Sequence, residues 1–192
     1  MRCVELLTQK MITLNIIKDE DKNIYQYGIE NGITILANII TSFLIGIFTK
    51  KLDLVLVFLL SFISLRTYAG GFHLEKKLTC YIYSNLILIV PLYGYEAYYQ
   101  LFSNIYAFVL LCFIFLIITI LSPVESRTRR YDSIEKKIFK KRSILILIVQ
   151  SVIYLLLIQM GASRYAYIIL VSLFVVAILL LIGKVTLWLE YR

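Results

Sequence analysis

"LFSNIYAFVLLCFIFLIITIL" fills residues 101–121 without a single charged side chain. As a helix rising ~1.5 Å per residue, it would extend about 31 Å, close to the thickness of a bilayer's hydrocarbon core. A helix apolar on every side offers no polar face to water, so it must be enclosed by protein or by lipid. Outward from this stretch the pattern recurs. Gly32–Thr49 is free of charge, Leu54–Leu65 is short, and Leu78–Val90 continues past Pro91 into a tyrosine-rich end. Ser143–Gly161 and Tyr165–Gly183 complete the set. A chain of 192 residues is too small to enclose six such helices. With 60% hydrophobic residues and a mean hydropathy of +0.84, it reads as all-α: a polytopic membrane protein of about six transmembrane helices.

Residues 1–17 read differently. Glu5, Gln9 and Lys10 interrupt the apolar core that a secretory signal would need. Val4, Leu7, Met11 and Leu14 recur at spacings of three and four, which predicts an amphipathic helix lying on a membrane face. The acidic run Asp19-Glu20-Asp21 is expected to end it.

Charge sets the orientation. With the N-terminus inside, seventeen of the twenty Lys and Arg residues fall on inner segments, and only Lys50, Lys51 and Arg164 fall outside. Basic residues concentrate in cytoplasmic loops, so both termini are expected in the cytoplasm of a multi-pass cell membrane protein. Residues 1–192 then form a single membrane domain. Its inner segments are a cytoplasmic or interfacial N-terminus at 1–31, a segment at 66–77 and a basic loop at 122–142. Tyr93, Tyr95, Tyr98 and Tyr99 fall at the outer surface, where aromatic belts lie. Lys50-Lys51 opposes the charge rule beside the shortest span, 54–65, which leaves that crossing the least secure.

Between the second and third spans runs "RTYAGGFHLEKKLTC", residues 66–80. It holds the only histidine of the chain and one of its three cysteines. A thiolate is a strong nucleophile when a nearby positive field favours it and a base is at hand. Cys80 falls in the first turns of the third span, where the helix dipole favours an anion, and Lys76 and Lys77 share its face. His73 is the one side chain suited to proton transfer near neutral pH. A seven-residue spacing on a continuous helix leaves the two groups about 10 Å apart, whereas a nucleophile–base contact needs about 3 Å. Gly70-Gly71 can break the helix, because glycine accepts positive φ. Cys112 sits mid-span among Leu and Phe and reads as packing, and Cys3 as incidental. One His and scattered Cys cannot converge on a metal, so neither a metal nor another cofactor is expected.

Arg66, Gly70-Gly71, His73 and Cys80, in the order R-x3-G-G-x-H-x6-C, resemble the accessory gene regulator protein B family of bacterial membrane endopeptidases. The chain length, the six spans and "SPVESRTRR…KKRS" at 122–143 resemble it too. The resemblance implies a cysteine endopeptidase that removes the C-terminal tail of a small autoinducer peptide precursor. A Cys thioester would then pass to a ring-closing thiol or hydroxyl, giving a lactone or thiolactone for quorum sensing. It gives His73 and Cys80 the catalytic positions and Arg66, Gly70 and Gly71 supporting ones. Glu125, Arg129, Arg130, Lys136 and Lys137 are candidates for binding substrate, whose tail would be acidic. Membrane lipids and a homo-oligomer are further expected partners; nucleic acid is not. Without the resemblance, a small transporter or a non-catalytic membrane scaffold for a peptide remains as an alternative. No span carries the mid-depth charge that marks ion pathways.

Overall fold

A computed structural model describes residues 2–72, 77–98, 105–125 and 131–190. The described residues form seven α-helices: α1 (Arg2–Thr13), α2 (Lys22–Phe48), α3 (Leu52–Ala69), α4 (Lys77–Tyr98), α5 (Ile105–Leu121), α6 (Ser133–Gln159) and α7 (Ser163–Glu190). α2, α3, α4, α6 and α7 are long and apolar enough to cross a membrane. The 17 described residues of α5 stand at the short end of the ~17–25 residues that a span takes. The expected multi-pass helical architecture is therefore present.

The ends of the helices differ from the expected boundaries, for local reasons. α1 stops at Thr13, and Asp19–Asp21 forms a 3-10 turn that opens α2 rather than closing α1. Of the expected apolar positions on α1, Val4 is buried with Thr8, while Leu7 and Leu14 stay exposed. α2 begins ten residues ahead of Gly32. α6 likewise starts at Ser133, inside the segment read as a basic loop. Asp132 caps α6, with Glu135 closing a reciprocal capping box, so the chain becomes helical well before its charged residues give way to apolar ones. Pro123 follows the last residue of α5 by two positions, consistent with its role as a stop.

α3 is long and apolar enough to cross in full. At ~1.5 Å per residue its 18 residues span about 27 Å. At its start, Asp53 accepts a 2.9 Å hydrogen bond from Tyr165. Lys51 donates to the Leu92 carbonyl at 2.9 Å and lies over the Tyr93 ring. Arg164 stacks on Tyr95. All three cations that break the charge rule are thus near this end, and two of them rest on tyrosines.

α7 is the centre of the bundle. Ala166, Ile169, Leu170, Leu173, Val176, Ala177 and Leu180 are buried against Leu65 and Ala69 of α3, Leu111, Ile114 and Ile118 of α5, and Leu147 of α6. A second cluster joins Leu54, Val55 and Phe58 of α3 to Leu88 and Leu92 of α4 and to Tyr167 and Ile168. Between helices, small polar side chains supply directional contacts of the kind used in lipid. Ser61 bonds Ser172, and Gln150 donates to the Ser61 carbonyl and the Ser64 hydroxyl, both at 2.9 Å. No fully buried side chain among the described residues is charged.

Candidate functional site

At the end of the bundle that carries the basic first turns of α6, α3 stops at Ala69. Gly70 has φ 71° and Gly71 φ 114°, the left-handed region that glycine adopts without strain. The helix break expected from the pair is present. The surroundings add a constraint that local sequence cannot reveal, because two other elements approach the glycines closely. Val124, just after α5, forms a parallel bridge with Gly70. Its N–H donates to the Ala69 carbonyl at 3.0 Å, and its carbonyl accepts from Gly71 N–H at 3.2 Å. On the other side, Phe72 N–H donates to the Leu179 carbonyl of α7 at 3.0 Å. A Cβ on Gly70 would collide with the Val124 carbonyl, and one on Gly71 with the Arg66 guanidinium. Gly183 on α7 is needed as well, since a Cβ there would lie 2.7 Å from the Phe72 nitrogen.

Arg66 closes this knot. From the last turn of α3 its guanidinium donates to the carbonyls of both Gly70 and Phe72. The fork geometry of arginine suits two acceptors held side by side. The chain is therefore fixed up to the carbonyl that links Phe72 to the next residue. His73 itself lies outside the described residues, as do Lys76, Arg129 and Arg130.

Cys80 is the fourth residue of α4 and is partly buried. It lies within electrostatic range of Arg66, as does Tyr131. That range is what relates Cys80 to the Arg66–Gly70–Gly71 knot. Lys77 behaves otherwise than expected. Its ammonium pairs with Glu30 of α2 and lies over the Tyr27 ring, so its charge is directed to α2 and not to the thiol. Cys112 also differs from its reading as a packed side chain: it is exposed on the outer face of α5.

Glu125, adjacent to Val124, is half-buried and pairs with Lys136 at 3.3 Å. Lys137 is exposed one residue further along α6. Next to them Phe139 packs against the rings of Tyr68 and Tyr131, and Arg142 stacks on Tyr68. Val124, Leu179, Gly183 and Glu30 had no sequence signal strong enough to place them here. Gly183, which ends an apolar run beside Lys184, came nearest. Among the described residues no group of three His, Cys, Asp or Glu side chains could hold a metal.

A thiol at a helix N-terminus, beside an arginine-clamped chain reversal, can act as a nucleophile toward a carbonyl presented between the two. The family model described as accessory gene regulator B matches residues 2–181. Comparisons with curated proteins and with solved structures gave no match. The multi-pass helical bundle and a family match over almost all of the chain agree: the chain belongs to the accessory gene regulator B family, which takes part in processing quorum-sensing peptides.

Proposed function

We propose that the protein is a membrane-embedded cysteine endopeptidase with His73 and Cys80 as its catalytic pair, working at the cytoplasmic side. The observation that supports this most is the Arg66 clamp on the Gly70 and Phe72 carbonyls, which fixes the chain that leads into His73. In this reading the Cys80 thiolate attacks a precursor carbonyl, forming a C–S bond while the peptide C–N bond breaks. His73 takes the thiol proton and returns it to the departing amine. A precursor thiol or hydroxyl then attacks the thioester, gives up its proton to His73, and closes the ring as Cys80 leaves. Thioester-to-thioester exchange is nearly balanced. Forming a thioester from an amide is uphill, so removal of the released tail draws the reaction forward.

Stabilising the oxyanion needs N–H donors that are not already engaged. The amides of Gly71 and Phe72 are engaged with Val124 and Leu179 and are not available for it. The backbone amides around 79–81, in the first turns of α4 beside the thiol, take that role in this reading. Co-expression with a short precursor peptide, followed by mass spectrometry, tests the activity. A tail-free product lighter by one water than its linear form is expected, and unchanged precursor would overturn the reading.

The acidic tail of the precursor is assigned to the basic segment: Arg129, Arg130, Lys136 and Lys137, with Glu125 beside them. Changing these four cations to Gln should raise apparent KM and flatten its salt dependence, because solvent-exposed charges are screened over ~10 Å at 0.1 M salt. Kinetics that keep the wild-type salt response would show that these charges serve orientation in the membrane alone.

A further inference from the structure

The half of α4 that carries Cys80 is not held by the core. No residue from Lys77 to Ile87 is fully buried; the first core residues of the helix are Leu88 and Leu92, two turns and more beyond the thiol. What holds this half is a polar ladder to α2. Glu30 pairs with Lys77, Asn38 accepts from Asn85 at 3.3 Å, and Thr41 shares a 2.6 Å hydrogen bond with the Tyr81 hydroxyl. Glu30–Lys77 and Asn38–Asn85 each join residues 47 apart in sequence, so α2 and α4 run parallel, while Thr41–Tyr81, 40 apart, departs from that spacing. The Glu30–Lys77 rung is the one on the thiol's own helical face, three residues before it. Its side chains are only 17% and 24% exposed, so the pair is partly withdrawn from water and from salt.

We propose that Glu30 is a positioning residue for Cys80. It anchors the first turn of α4 to α2 and takes up the charge of Lys77, which would otherwise act on the thiol from the same helical face. The proposal rests on Cys80 being the nucleophile. It assigns a role in catalysis to α2, a helix that does not touch the Arg66 knot through any contact described above. Anchoring and charge uptake have opposite signatures when Glu30 is lost. The freed ammonium of Lys77 favours the thiolate, so the thiol becomes more reactive; the loosened turn presents it less accurately, so turnover falls.

Glu30→Gln, Lys77→Met and the charge-swapped double variant Glu30→Lys/Lys77→Glu test this in the full-length, membrane-inserted protein. In Glu30→Gln, kcat is expected to fall about tenfold with KM within about twofold, as for loss of a group that acts through orientation. Alkylation of Cys80 at pH 7 should meanwhile rise roughly two- to threefold in Glu30→Gln, where the freed ammonium favours the thiolate, and fall in Lys77→Met, where the Glu30 carboxylate is left unneutralised. The swapped pair should return cleavage to within about threefold of wild type, because the two changes are coupled. Wild-type alkylation rates in both single variants, or a swapped pair no better than Glu30→Gln, would overturn the proposal. The alkylation arm does not depend on cleavage, so it decides the role of Glu30 even if the wild type cuts no precursor, an outcome that would instead refute the endopeptidase reading.

Discussion

Replacing Gly70 and Gly71 together by valine is expected to lower peptide cleavage by ~10²–10⁴-fold, the loss typical of removing a positioned acid–base group. Both glycines hold positive φ, which a β-branched residue adopts only with strain. Both also lie in close contact. A side chain at 70 would enter the Val124 carbonyl, and one at 71 would displace the Arg66 guanidinium while meeting the Leu179 carbonyl at 3.0 Å. The variant therefore loses the clamp on the Phe72 carbonyl, and with it the path that delivers His73. Insertion should persist, since the apolar clusters around α7 are built mainly from residues further along the helices, with only Ala69 and Val124 at the knot. Adding His73→Ala to Gly71→Val should cost little more than either alone, because both remove the same positioned group. Gly28→Ala is the control: nothing lies within 4 Å of its Cβ position, and activity should stay at the wild-type level. Near-normal turnover in the double valine variant would show that the reversal at 70–72 does not serve catalysis.

The six apolar runs were legible because hydropathy alone decides whether a helix can enter lipid. Their ends were less so. Residues 22–31 read as part of an interfacial N-terminus and 133–142 as part of a basic loop, yet both are helical. At α6 the signal was present as Asp132 three residues ahead of Glu135, a capping box that charge counting passes over. At α2 the stabilising partner of Glu30 is Lys77, 47 residues away, and no local pattern announces it. The glycine pair shows the same division. Its capacity to break a helix is local chemistry and could be read directly. That Val124, Leu179 and Gly183 crowd it is a consequence of tertiary packing. Arg66 was picked out by family resemblance, but its task, holding two carbonyls of the following turn, became clear only from the fold.

Cys80→Ala is expected to abolish cleavage, a loss on the order of 10⁴-fold or more in kcat, as when the nucleophile of a covalent mechanism is removed. His73→Ala should cost ~10²–10⁴-fold, because the thiolate can still form without its base, though less often. Cys112→Ala should leave turnover unchanged, since that thiol faces outward from α5, away from the Arg66 knot. Equal losses from Cys80→Ala and Cys112→Ala would mean that the effect is on folding and not on chemistry.

Mapping the covalent intermediate tests the central claim most directly. The full-length protein is mixed with a precursor whose ring-closing residue has been changed to alanine, so that the thioester has no internal acceptor. It is then quenched in acid and digested for peptide mass spectrometry. The account predicts the tail-free precursor fragment attached to the peptide containing Cys80, removable by neutral hydroxylamine and absent from Cys80→Ala. The fragment found on Cys3 or Cys112 instead, or tail release with no adduct on any cysteine, would contradict it.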